Sequence, residues 1–144
     1  MKRWIFPFCL LAALAVAPAR AEDADLHPSA PAVRKAVIAT IEGQLAAFRA
    51  HDPGKAYGFA ARALRRQFPL PRFAEVVRTG YPEIWLNLRA EYGIVSDNGA
   101  RATLNVRVHT ADTSAAYDYV LVREPDGWRI SGVLRHAPQP ADSV

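Results

Sequence analysis

The sequence predicts an α+β domain, helices first and an antiparallel sheet after them. Three observations predict it. Apolar residues recur at helical spacing from Val33 to about residue 80. From Tyr81 the period drops to two. Asn98-Gly99 and Pro125-Asp126-Gly127 then fall between the apolar runs, where hairpins turn.

Ahead of the domain, Met1-Lys2-Arg3 is a positive start, residues 4–16 are an apolar run, and Ala17-Pro18-Ala19-Arg20-Ala21 has a small-x-small ending. That is the layout of a secretory signal peptide. Residues 1–21 are therefore expected to be removed, and the mature protein to be exported, periplasmic or secreted. An uncleaved anchor is the competing reading, but the run is shorter than the ~20 residues a spanning helix needs. The formal charge of +4 falls to +1 without Lys2, Arg3 and Arg20, which argues against a nucleic-acid partner. The single cysteine, Cys9, lies in the leader, so the mature domain has no disulfide and no thiolate nucleophile. Residues 22–31 are expected to be a flexible leader, 32–135 a single domain and 136–144 a flexible tail. At 51% hydrophobic residues the domain has enough apolar side chains for a core.

Val33, Val37, Ile41, Leu45 and Phe48 form one face of a first helix, with Arg34, Lys35, Glu42, Gln44 and Arg49 largely off it. Ser29 is expected to cap it, Pro31 to suit its first turn, and His51-Asp52-Pro53-Gly54 to end it. A second helix is expected over 54–68, with Tyr57, Ala60, Ala61, Leu64 and Phe68 on one face. Pro69-Leu70-Pro71 breaks the chain. A short helix then carries Phe73, Val76 and Val77 to Gly80.

Ile84, Leu86 and Leu88 alternate with Trp85 and Asn87, which reads as a strand. Residues 92–96 read as another, ended by Asp97-Asn98-Gly99. Ala102, Leu104, Val106 and Val108 alternate with polar residues over 101–110, a half-buried strand. Residues 116–124 are apolar on both faces. Trp128, Ile130 and Leu134 share a face of the last strand. A three-residue Pro-Asp-Gly loop would pair Glu124 with Trp128, Val122 with Ile130 and Val120 with Gly132. With Val106 opposite Val120, this collects Val120, Val122, Trp128 and Ile130 on the core face, and Tyr117, Tyr119 and Leu121 on the outer one. A two-residue Asp-Gly turn would instead pair Glu124 with Arg129 and Asp118 with Arg135. It places Pro125 where an N–H is wanted, so the first register is preferred.

Helices followed by a meander closing on Asp126-Gly127-Trp128-Arg129-Ile130 resemble the nuclear-transport-factor-like superfamily, which includes ketosteroid isomerase, scytalone dehydratase and the polyketide cyclases. Residues 44–49, 56–60, 65–68 and 73–82 are similar to the bacterial domain-of-unknown-function family 4864. The resemblance implies a strongly curved antiparallel sheet, cone-shaped, with a pocket open at one end. It implies no chemistry for this chain, because function resides in sites and not in folds.

An isomerase-like site in such a pocket would need a carboxylate base and an oxyanion donor. Tyr57, Tyr81, Tyr92, Glu91 and Asp118 are the available groups. Asp118 stands out, since the preferred register sets it on the apolar face near Val108 and Leu134, where burial would raise its pKa. The bland alternative pairs it with Arg135 or Arg107 near a strand end. His109 has no carboxylate beside it in either register, and the four scattered histidines argue against a metal site. No cofactor motif is present. Tyr81 and Trp85 are candidates for a pocket mouth, or simply core. Arg62, Arg65 and Arg66, with Arg72, surround Phe68 as a candidate contact for an anion or acidic partner, or as a solvated helix face. The expected function is non-catalytic binding of a small apolar ligand or a protein partner in the cone. One alternative is an acid–base isomerase or dehydratase with Asp118 as base and Tyr57 or Tyr81 as donor. The other is homodimer assembly through the outer sheet face.

Overall fold

The computed structural model describes residues 25–136, so the expected signal peptide and residues 137–144 lie outside the described residues. The chain runs β1 (His27–Pro28), α1 (Pro31–Arg49), α2 (Pro53–Tyr57), α3 (Arg62–Gln67), α4 (Leu70–Gly80), α5 (Pro82–Trp85), β2 (Arg89–Tyr92), β3 (Ser96–Asp97), β4 (Arg101–His109), β5 (Ser114–Glu124) and β6 (Gly127–Arg135). The strands form one open, six-stranded antiparallel sheet in the order β1-β3-β4-β5-β6, with β2 also on β4. The α+β class is as the sequence predicts.

The α1 stripe holds from Val37 to Phe48, but Val33 is only half-buried, and Gln44, expected off the stripe, is buried because its amide reaches Ala56 O. Val37, Ile41, Leu45 and Phe48 are buried and pack against Ala102, Leu104, Val106 and Val108 of β4 and Trp128 and Ile130 of β6. The N-terminus differs. Ala30 is the N-cap, without a side-chain hydrogen bond, and the Ser29 hydroxyl donates to Asp97 Oδ1 instead. Ser29 is drawn away because residues ahead of α1 pair with the sheet: His27 and Pro28 oppose Asp97 and Ser96, and Ser29 N–H donates to Val95 O.

The second expected helix is two helices. Between α2 and α3 the backbone straightens to meet β6: Ile130 N–H donates to Phe59 O (2.9 Å) and Ala61 N–H to Ile130 O (2.8 Å). Satisfying these groups of an edge strand outweighs continuing the helix, and small, buried Ala60 and Ala61 permit the close approach. The strand expected at 84–88 is also corrected. Pro82 starts α5, and the buried Asn87 amide donates to Ile84 O and Leu45 O while Arg49 donates to its oxygen. Leu86 and Leu88 are left exposed. Between β2 and β3, Gly93 N–H donates to Asn105 O, and a Cβ there would lie 3.1 Å from that oxygen.

On β5 the expected face is inverted. The β4–β5 loop pairs His109 with Ser114, hence Val106 with Tyr117, Leu104 with Tyr119 and Ala102 with Leu121. Tyr117, Tyr119 and Leu121 are fully buried, while Val120 and Val122 are half-buried on the outer face. A one-residue change of register moves every side chain to the other face. At the last turn neither expected register holds. Glu124 pairs with Gly127, whose φ of +128° suits glycine, and Leu121 pairs with Ile130. A bulge at Ser131 then restores the expected Val120–Gly132 pair. It also turns Leu134 to the outer face, where it is 67% exposed. His136, placed in the expected tail, still donates its N–H to Ala116 O.

Candidate functional site

The two prolines 69 and 71 force a break that turns α4 back onto α2, with Phe73 stacked on Phe48 of α1. Phe73 and Val77, one helical turn apart, then face inward. The helices do not fill the space they enclose with β6. A cavity of about 120 Å³ remains, lined by the rings of Phe48, Phe68, Phe73 and Tyr81 and by Leu64, Val76, Val77, Ile84, Ile130 and Val133. Its wall is held by ring contacts, with Phe73 at 5.1 Å from Tyr57 and 6.2 Å from Phe48. The Tyr57 hydroxyl lies 2.7 Å from Phe68 O and 2.9 Å from Arg65 O, so its one proton fastens the end of α3.

Few polar groups touch the cavity. Gln44 Nε2 donates to Ala56 O (3.1 Å), and the Tyr81 hydroxyl donates to Val133 O (3.1 Å). Next to Ile84 of the lining, the buried Glu83 carboxylate is paired with the half-exposed Arg135. Glu83 receives Tyr117 Oη–H (2.6 Å) on Oε1 and Arg135 Nη2–H (3.0 Å) on Oε2, and Arg135 Nη1 also donates to Oε1. Burial pushes the Glu83 carboxyl up, but the hydrogen bonds from Arg135 and Tyr117 together outweigh it and hold it below its ordinary 4.5. Burial and the Glu83 contact raise the Tyr117 phenol, so it stays protonated as a donor. A second cluster joins Tyr92 and Arg49 to Glu42. Burial opposes ionisation there too, and the hydrogen bonds from Tyr92 and Arg49 again lower the carboxyl overall. Both acids are thus fixed as anions by cationic partners, an arrangement for holding structure rather than for exchanging protons.

Tyr119 is different. It is fully buried, and its hydroxyl has no hydrogen-bond partner among the described residues. Burial raises its pKa, so the phenol stays neutral. Removing an unpaired buried hydroxyl relieves a desolvation cost, so Tyr119→Phe is expected to raise stability by about 1 kcal/mol. Urea unfolding checks this; a loss of 1 kcal/mol or more would show that the hydroxyl has a partner.

The residues singled out from sequence are dispersed. Tyr81 lines the cavity, and its hydroxyl is committed to Val133 O. Tyr57 and Trp85 support the wall from behind, Trp85 with its ring 5.5 Å from Phe48. Asp118 is not on the apolar face. It is exposed on the outer face, opposite Asn105 and Leu134, with Oδ2 2.7 Å from His136 Nε2. The inverted face of β5 is the reason. Arg62, Arg65 and Arg66 share the outer side of α3; Arg62 N–H donates to Glu124 Oε2, and the Arg62 Nε is 3.9 Å from Glu124 Oε1. His109 Nε2 is 3.4 Å from Glu91 Oε2 without the alignment of a hydrogen bond. Sequence reasoning missed Glu83, Tyr117 and Arg135 as a group. The one available signal was an acid in the otherwise apolar stretch 81–86.

Among the described residues no group of His, Cys, Asp and Glu side chains is arranged to hold a metal ion, and no helix is long and apolar enough to cross a membrane. The family model described as "Domain of unknown function (DUF4864)" matches residues 31–142. No curated protein and no solved structure matches the chain.

Proposed function

The chain belongs to the DUF4864 family, and we propose that it acts as an exported, non-catalytic domain that holds a small apolar ligand in the cavity between its helices and β6. The observation that carries the reading is the lining: rings and aliphatic side chains, with the Gln44 amide nitrogen and the Tyr81 hydroxyl tied to backbone carbonyls. Apolar cavities of similar size, ~150 Å³, stay dry and take up benzene. The acid–base alternative loses the base it invoked, since Asp118 stands on the opposite face of the sheet. The outer-face dimer loses the residues that motivated it, since Tyr117, Tyr119 and Leu121 are core. Export rests on the leader-like residues 1–21. Helices ahead of a meander, with α1 packed on the sheet, support a place in the nuclear-transport-factor-like superfamily, here with a sheet that stays open.

Benzene is expected to raise the melting temperature of the mature protein with a saturable dependence on concentration. Val77→Phe places a ring into the cavity and is expected to abolish that shift while the far-UV circular dichroism stays unchanged. An equal shift in wild type and Val77→Phe would place binding elsewhere, and no shift in wild type would remove the proposal.

A further inference from the structure

We infer that the ligand of this cavity carries a hydroxyl group, held by Gln44. The inference rests on the reading of the cavity as a binding site and adds the chemistry of its occupant. Gln44 is 95% buried within α1, being 5% exposed, and lines the cavity. The orientation of its amide is set by Ala56 O, an acceptor, which requires the Nε2 end. The Oε1 end receives no hydrogen bond from any described residue, and Gln44 lines the cavity, which makes this oxygen the acceptor open to a ligand there.

A second polar group points the same way. His136 N–H donates to Ala116 O, which fixes the alternation of the β5–β6 ladder. By that alternation, Val133, opposite Tyr119, turns its N–H and C=O away from β5, toward the edge of the sheet that borders the cavity. Tyr81 takes the C=O, in agreement with this. The cavity therefore offers an acceptor at Gln44 and a donor at Val133. A hydroxyl both donates and accepts, and answers either group. A ketone leaves Gln44 Oε1 without a donor, and a hydrocarbon leaves both groups unpaired.

The test compares cyclohexanol with cyclohexanone on the mature protein by isothermal titration calorimetry, with benzene as the purely apolar reference. The alcohol is expected to bind about tenfold more tightly than the ketone. In Gln44→Met, which keeps the length and removes the acceptor, that ratio is expected to fall to about one, with benzene still bound. Equal binding of alcohol and ketone by wild type, or tighter binding of the ketone, overturns the hydroxyl and leaves the cavity reading standing. Benzene binding without either oxygen compound does the same. Failure of all three probes overturns both. The wild-type comparison decides the matter even if loss of the Ala56 hydrogen bond unfolds Gln44→Met.

Discussion

Leu121→Ala is expected to destabilise the domain by about 2–5 kcal/mol, whereas Val122→Ala next to it costs less than about 1 kcal/mol. The two side chains are adjacent, aliphatic and both on β5, yet they face opposite ways. Leu121 is fully buried between Ala102 of β4 and Ile130 of β6. Truncating it opens a cavity in the layer that supports α1, and closely packed surroundings relax only in part. Val122 sits opposite Arg101 and Arg129 on the outer face, where solvent fills the space a lost methyl leaves. Urea midpoints of the two variants measure the contrast. Equal losses, or a larger loss for Val122→Ala, would return β5 to the register in which valines 120 and 122 form the core.

Glu83→Gln is expected to cost about 2–3 kcal/mol at neutral pH, because it removes the charge from hydrogen bonds that Arg135 and Tyr117 make in a buried position. Arg135 keeps part of its side chain in water, which limits the penalty of leaving it unpaired. The effect depends on pH in a definite direction. The Glu83 carboxyl is held below its ordinary value of 4.5, so the folded state favours the anion. The stabilisation is complete above pH 4.5 and is lost as the pH falls through the lowered folded value. The stability difference between wild type and Glu83→Gln therefore shrinks below pH 4.5. Taking the difference cancels the separate acid sensitivity of Glu42, which is also lowered. A difference that stays constant from neutral pH down to about pH 3 would mean the carboxylate contributes nothing through its charge.

The parts of the fold legible in the sequence are those whose patterns admit one phase. The α1 stripe from Val33 to Phe48 admits one face, and β4 alternates cleanly between Ala102, Leu104, Val106, Val108 and polar neighbours. On β5 both phases are apolar: Tyr117, Tyr119 and Leu121 compete with Val120 and Val122. Hydrophobicity cannot choose between them, so the choice falls to the length of the 110–113 loop and to the Ser131 bulge. Ile84, Leu86 and Leu88 imitate a strand, while Pro82 and the Asn87 side chain settle a helix.

The same ambiguity governs the site. Asp118 shares its face of β5 with Val120 and Val122, so the inversion that puts the valines outside puts Asp118 there too. Glu83 and Arg135 lie 52 positions apart, and no local pattern announces that they meet. The cavity itself was partly legible. Phe48 and Phe68 fall on apolar helix faces, Phe73 belongs to the short helix before Gly80, and Tyr81 is a candidate for a pocket mouth or core, but the gap between them depends on how α4 turns back after Pro69 and Pro71, a packing outcome that spacing does not encode.

Methyl-resolved NMR of the mature protein titrated with benzene tests the binding account most directly. The methyls of Leu64, Val76, Val77, Ile130 and Val133, which line the cavity, are expected to shift together and saturate, while those of Val120 and Val122 on the outer face stay in place. Shifts confined to the outer face, or none at the lining methyls up to saturating benzene, would contradict it.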